Sequence, residues 1–174
     1  MNANPWSAIE FTVILPPRGQ ARSNSKALIG KDGMPVRSKK TGRVVVVHHK
    51  SESQKNDEAK LEALIMAHKP AAPLAGPIKL GIRAYFAIPA SKPKWFREAA
   101  MRGEMQPEKK PDLSNILKHF EDVANGIFWG DDAQIVGFTD NSGKYYGEPP
   151  RYEVTILYRR DRQVRECCSP TTPE

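Results

Sequence analysis

The stretch KKPDLSNILKHFEDVANGIFWGDDAQIVG, residues 109–137, contains both kinds of regular structure from which the fold is built. Residues 112–124 have the spacing of an amphipathic helix, which the Asn-Gly pair at 125–126 stops. IFW then leads into a Gly-Asp-Asp turn, and AQIVGFTD (133–140) is predicted to be a strand. The apolar stripe of the helix consists of Leu113, Ile116, Leu117, Phe120 and Val123 or Ala124.

The segments before and after this stretch add strands and one more helix. IEFTVILP (9–16), IKLGIRAYFAI (78–88) and RYEVTILY (151–158) alternate apolar and other residues, as half-buried strands do. A helix begins after Ser51, which with Gln54 fits a capping box, and KPAAPLAGP ends it. Its apolar side is formed by Ala59, Leu61, Leu64, Ile65 and His68.

Residues 17–50 are predicted to form a basic ribbon. KALI and MPVR flank a GKDG turn, and RVVVVHH (43–49) forms a further strand. We expect Val44–Val47 to be buried in the core, although they could instead pair across a dimer. Residues 89–110 and 141–150 are predicted to be loops. Trp95 and Phe96 lie in the first of these, where they could stack on bases; core packing is favoured for Trp95.

The order β, hairpin, α, β, α, β, β predicts an α+β fold: a small single domain with a mixed or antiparallel sheet and two main helices. At 174 residues the chain is too short for two domains. We place the domain at residues 1–158 and a flexible polar tail at 159–174. The adjacent Cys167 and Cys168 in that tail do not predict a disulfide framework or a zinc site.

The charge balance favours a polyanionic partner. The chain has 27 Lys and Arg against 20 Asp and Glu, a net charge of +7. A basic protein without such a partner remains the alternative. No apolar run approaches the ~20 residues that span a bilayer, and the N-terminus lacks the pattern of a signal peptide. We therefore expect a cytoplasmic protein with no membrane partner and no small-molecule cofactor.

Cations are concentrated in the 17–50 ribbon and the 89–110 loop, and both segments could lie along a phosphate backbone. Ordinary solvated loops would explain the ribbon equally well. The candidate DNA-binding residues are Arg18, Arg22, Lys26, Lys31, Lys39, Lys40, Arg43, Lys92, Lys94, Lys109 and Lys110.

Carboxylates, by contrast, gather around the 112–124 helix. Asp112 could simply cap this helix, and Asp131 and Asp132 could simply form a turn. The helix is about 18 Å long, and residues 125–132 can span about 25 Å. If that segment doubles back, three carboxylates meet at the helix start, where a cation must neutralise them. Oxygen ligands suit Mg²⁺, which can activate water for phosphodiester cleavage.

The motifs PDLSNILK and WGDDAQIV resemble the RusA family of Holliday junction resolvases of phages and prophages. The family pattern is Asp-x-Asp-Asn-x-x-Lys followed by Asp-Asp-x-x-Val/Ile. FTVILPPRGQARSN, GPIKLGIRAYFAIP and PRYEVTI extend the resemblance over roughly residues 8–158. It implies a small α+β homodimer that nicks opposed strands of a four-way DNA junction. The oxygen ligands described above make Mg²⁺ the expected cofactor, and the sequence leaves open whether Mn²⁺ can replace it.

Site residues follow from this resemblance position by position. It implies that Asp112 and Asp132 are metal-binding catalytic acids and that Asp131 is an accessory ligand. Lys118 would be catalytic or contact a phosphate, and Asn115 would support the site. Without the resemblance, the role of an ordinary surface lysine would explain Lys118 equally well.

Ser114 departs from the family pattern, because an acidic ligand usually occupies its position. Ser114 could act through a water molecule, which we favour. Glu121 could compensate, although it lies about 10 Å further along the helix. Alternatively, catalysis is lost and DNA binding remains.

The sequence therefore predicts a Mg²⁺-dependent, structure-selective endonuclease. The alternatives are a non-catalytic junction-binding protein and a nuclease without junction preference. An RNA-binding protein is disfavoured because no RNP-like or GXXG motif is present.

Overall fold

The computed structural model describes residues 6–20, 24–49 and 51–159 of the chain. A mixed sheet with helices confirms the predicted α+β class, with one helix more than expected. The elements are β1 (Trp6–Val13), β2 (Asn24–Ala27), β3 (Val46–His49), α1 (Glu52–Ile65), β4 (Ile78–Phe86), α2 (Lys94–Met101), α3 (Leu113–Ala124), β5 (Ile135–Phe138), β6 (Gly143–Tyr146) and β7 (Arg151–Arg159).

The main sheet has five strands and is centred on β4. Its order is β1-β7-β4-β5, and β6 also pairs with β4. β1 and β4 run antiparallel to β7, whereas β5 and β6 run parallel to β4. β7 buries every second side chain, as expected for a strand with one face on the core: Tyr152, Val154 and Ile156.

Helices α1 and α3 contribute the other half of the core. Leu61 and Ile65 of α1 and Ile116 and Phe120 of α3 are fully buried in one cluster with the sheet residues. In α3 the buried residue of the last turn is Ala124, while Val123 is only partly buried. Removing these side chains from water supplies the main driving force for folding.

The start of α1 is as predicted, because Ser51 Oγ accepts a hydrogen bond from the Gln54 backbone N–H at 3.2 Å. A 3-10 turn, Met66–His68, follows this helix, and the His68 ring stacks on Phe11 at 4.5 Å. No helix among the described residues has both the length and the apolar character needed to cross a bilayer.

The ribbon forms a separate two-stranded sheet of β2 and β3. The predicted GKDG turn is present, with a hydrogen bond from Gly30 N to Met34 O at 2.8 Å. The prediction that Val44–Val47 are buried is wrong: all four are at least partly exposed, and Val46 is 47% exposed. Their strand pairs within the ribbon and does not join the main sheet.

Two segments predicted as loops contain regular structure. Residues 89–110 include α2, whose Ala99 and Ala100 are buried. Residues 141–150 include β6, which pairs with β4. Trp95, predicted to pack on the core, is 62% exposed, and the partly buried residue is its neighbour Phe96. Helix α2 is only eight residues long, and β6 pairs with β4, which lies about 60 residues earlier in the chain.

Candidate active site

The start of α3 is held by contacts from β6. Asp112 occupies the position before the first helical residue, but its exposed carboxylate makes no capping hydrogen bond. Lys144 Nζ donates to the carbonyl oxygens of Lys109 at 2.7 Å and Pro111 at 3.1 Å. The backbone before the helix is therefore anchored, while the Asp112 carboxylate is left exposed to solvent and available to a ligand.

The loop that follows β1 packs directly on this helix start. Gln20 N donates to the Asn115 carbonyl oxygen at 2.8 Å. Gly19 lies so close that an added Cβ would be 2.6 Å from Pro111 Cβ and 3.3 Å from Asn115 Cβ. The chain after β1 thus places residues 17–20 against α3.

Between this loop, the start of α1 and the start of α3 lies a cleft of about 710 Å³. Arg18 Nε is 3.7 Å from Asp57 Oδ2 in this cleft. Tyr152 Oη accepts a hydrogen bond from Arg18 N at 2.7 Å, and burial raises the pKa of Tyr152 to about 12. The lining includes Arg18, Asp57, Lys110, Asp112, Asn115 and His119.

A second group of charges surrounds Lys118 on α3. Its Nζ is 3.0 Å from Asp122 Oδ1 and 3.4 Å from Asp132 Oδ2. Trp129 Nε1 donates to Asp132 Oδ1 at 3.4 Å, and Gln20 Nε2 donates to Asp122 Oδ2. The hydrogen bond to Asp122 is the main reason that the pKa of Lys118 is raised, which favours the ammonium form.

The turn aspartates differ in their roles. Asp131 caps the 3-10 turn Asp132–Gln134 by accepting a hydrogen bond from Ala133 N at 2.8 Å. Asp132 instead points to Lys118. Glu121, nearby on α3, has a raised pKa chiefly because of partial burial.

The turn therefore folds back to α3, but it meets the middle of the helix. The described residues contain no cluster of three or more His, Cys, Asp or Glu suited to a metal ion. The grouping of Asp112, Asp131 and Asp132 around one ion therefore stays a prediction. Asp131 is used as a cap, and Lys118 neutralises Asp132.

Ser114 is exposed and lies one turn before Lys118 on the same side of α3. An acidic residue at this position would add a carboxylate beside the Lys118–Asp132 pair.

The predicted DNA-binding residues that the structure describes are all exposed. Arg22 lies outside the described residues. The exposed set consists of Arg18, Lys26, Lys31, Lys39, Lys40, Arg43, Lys92, Lys94, Lys109 and Lys110.

Four residues of these two groups did not stand out in the sequence as site residues. His119, only 3% exposed, lines the cleft seven residues after Asp112, a helical spacing that could have indicated it. Asp122 follows Lys118 by one turn and could have been paired with it in the same way. Asp57 and Gln20 come from distant segments, and no local pattern indicates them.

Two comparisons with known proteins bear on this site. The family model described as Endodeoxyribonuclease RusA matches residues 31–157, well over half of the chain. A Bacillus subtilis (strain 168) protein named "Uncharacterized protein YqaN" is 29% identical over 151 residues, which cover 85% of this chain and 94% of that protein. The family match includes α3, the turn with Asp132 and most of the ribbon.

Proposed function

The chain belongs to the RusA endodeoxyribonuclease family, and from this premise we propose that it is a structure-selective endonuclease that resolves four-way DNA junctions by paired nicks. The proposed enzyme is a homodimer that depends on Mg²⁺, with Mn²⁺ as a substitute. Two active sites, one in each copy, would nick the two strands that lie opposite each other across the junction.

The observation that carries the proposal is the contact between Lys118 and Asp132, residues 14 positions apart in the sequence. It joins the two halves of the family motif in space. Asp112, at the start of the same helix, has a carboxylate that is not used as a cap.

A divalent metal ion fits the chemistry of the donors, although the described residues form no closed group of three acids. Mg²⁺ is commonly held by one or two carboxylates together with waters and substrate phosphates. We assign Asp112 and Asp132 as its ligands, with Asp131 as an accessory group and Ser114 acting through water. When bound, the ion would activate water and stabilise the leaving oxygen.

The remaining steps depend on the side chains themselves. The Lys118 ammonium is kept protonated by its acidic neighbours and would stabilise negative charge that develops on the phosphate. Asn115 supports the loop after β1 through its backbone carbonyl. The exposed cations of residues 17–50 and 89–110 would hold the DNA backbone and position the strand.

The proposal is tested with a synthetic four-way junction, a linear duplex of the same sequences and Mg²⁺. We expect nicks at opposed positions of the junction and little cutting of the duplex. Asp132→Asn should abolish nicking while binding is retained. Equal cutting of both substrates would contradict junction selectivity, and sedimentation of the chain as a monomer on the junction would contradict the homodimer.

A second candidate, a junction-binding protein with weakened catalysis, is favoured by Ser114 and by the missing third acid. Ser114→Asp separates the two functions, with Ser114→Asn as the neutral control. If the wild type is catalytic, Ser114→Asp should increase nicking by about tenfold or less. If the wild type only binds, its nicking should be no greater than that of Asp132→Asn.

A further inference from the structure

Trp95 is the most exposed aromatic residue of α2, and the proposed function gives it no role. Its indole is 62% exposed. Ala99 and Ala100, in the second turn of the helix, are buried, and the Phe96 ring makes an edge contact with Tyr146 at 5.8 Å. The helix is thus fixed to the sheet by its other side chains, and Trp95 projects from a rigid support.

The position of α2 places this indole at the end of the sheet where the candidate active site lies. Val13, the last residue of β1, pairs with Tyr152, and so does Ala84, two residues before the end of β4. Both strands therefore end on the side of the sheet where Tyr152 lies. On β6, Tyr146 contacts α2 and Lys144 holds the start of α3. These two residues of β6 are about 7 Å apart along one face of the strand. A single short strand therefore connects the helix that bears Trp95 to Asp112.

The charges around Trp95 favour a nucleic acid over a second copy of the chain. Lys92 Nζ lies 4.4 Å from the centroid of the Phe96 ring, and Lys94 and Arg97 flank Trp95 on α2. Only Glu98, 3.8 Å from Lys94, offsets this charge within the helix. A second copy would bring the same cations against one another, whereas a DNA strand supplies both phosphates for the cations and a flat base for the ring.

We propose that Trp95 stacks on a base exposed at the branch point of the DNA junction and so contributes to recognition of branched over linear DNA. This inference rests on the proposed function, because it assumes that the end of the sheet with Asp112 faces the branch point. Bases at a branch point lose a stacking neighbour that bases inside a duplex retain. An exposed indole can replace that neighbour without reading the sequence.

Binding is measured in buffer with EDTA, so that cleavage does not enter the result. Trp95→Ala should weaken junction binding by about tenfold or more while duplex binding changes little, and Trp95→Phe should retain most of the affinity. Tryptophan fluorescence should be quenched by the junction in wild type and in Trp6→Phe, but not in Trp95→Phe. Trp6 is the matched control because it also lies beside cations, Lys79 and Arg159, at the opposite end of the sheet.

The outcomes separate this inference from the proposed function. If the wild type and Trp95→Ala bind the junction equally, the role of Trp95 is wrong while junction binding stands. Failure of the wild type to bind the junction overturns both. Equal weakening of junction and duplex binding in Trp95→Ala would also overturn the selectivity. Thermal unfolding of each variant shows whether the exposed substitution has left the fold intact.

Discussion

Gly19 shows how much a single residue contributes to the geometry of the site. It has no side chain, and this allows the loop after β1 to approach the start of α3 within van der Waals distance. Gln20 can then reach Asn115 through its backbone and Asp122 through its side chain. The contact of Gln20 with Asn115 and its contact with Asp122 therefore both depend on the close approach at Gly19.

Replacement of Gly19 by alanine should destabilise the protein by about 1–3 kcal/mol, because the new Cβ overlaps Pro111 Cβ and the helix start must shift. Nicking should fall as well. Urea denaturation measures the first effect. Gly137→Ala is the control, since nothing lies within 4 Å of a Cβ added there. Equal stability of the Gly19→Ala variant and the wild type would show that the loop moves freely.

Tyr152 is a buried residue whose ionisation should limit stability at alkaline pH. Its pKa is raised to about 12 in the folded chain, against about 10 in an unfolded chain. The folded state therefore retains a proton that the unfolded state loses between these values. The stabilisation is complete below pH 10 and is lost as the pH rises through 12.

The expected loss in the free energy of unfolding is roughly 2–3 kcal/mol between pH 10 and 12. Guanidinium denaturation at several alkaline pH values measures it. Tyr152→Phe lacks the titrating group and should show a smaller dependence on pH over this range. A dependence identical to that of the wild type would assign the alkaline loss to other groups.

At the scale of elements, β6 connects parts of the chain that are distant in sequence. It pairs with β4, supports α2 through Tyr146 and holds the backbone before α3 through Lys144. A strand of four residues, Gly143–Tyr146, thereby fixes the position of α3 relative to the sheet.

Lys144→Met should reduce both stability and nicking, since it leaves the carbonyl oxygens of Lys109 and Pro111 without their charged donor. We expect a loss of about 1–3 kcal/mol. Thermal and urea unfolding, together with the junction assay, test this. Lys60→Met, an exposed lysine of α1, is the control. If the variant is as stable and as active as the control, the contacts of Lys144 do not hold the start of α3.

For the whole molecule, the net charge of +7 leads us to expect that added salt weakens the proposed binding to DNA. The cations are not spread evenly, because the ribbon contains many lysine and arginine residues and few acidic residues. Lys39 and Lys40 are both exposed near one ribbon turn. Phosphate contacts of this kind affect binding to every DNA sequence in the same way.

If Lys39 and Lys40 each neutralise one phosphate, log K falls less steeply with log salt when both are replaced by alanine. The magnitude of the negative slope should decrease by about 2. Fluorescence anisotropy with a labelled junction measures the slope. The matched double variant replaces Lys60 and Lys69, which are exposed and lie outside the ribbon and the 89–110 loop. An equal decrease in both variants would indicate general attraction without a ribbon contact.

Strong local patterns were enough to predict part of this molecule. The apolar spacing of residues 113–124, the Ser51 cap and the alternation in β1, β4 and β7 identified the α+β class, because each of these signals lies within about ten residues. The family motif identified Asp112, Lys118 and Asp132 as candidates. Their assignment as site residues remains a prediction.

Only the tertiary structure decided which of these groups meet. Asp132 lies against Lys118, because Trp129 and the Asp131 cap fix the turn beside the middle of α3. The exposure of Trp95 and the pairing of β6 likewise depend on distant partners. Local periodicity records which side of an element is apolar, whereas contacts between elements depend on how the chain closes its long loops, and no short segment encodes that.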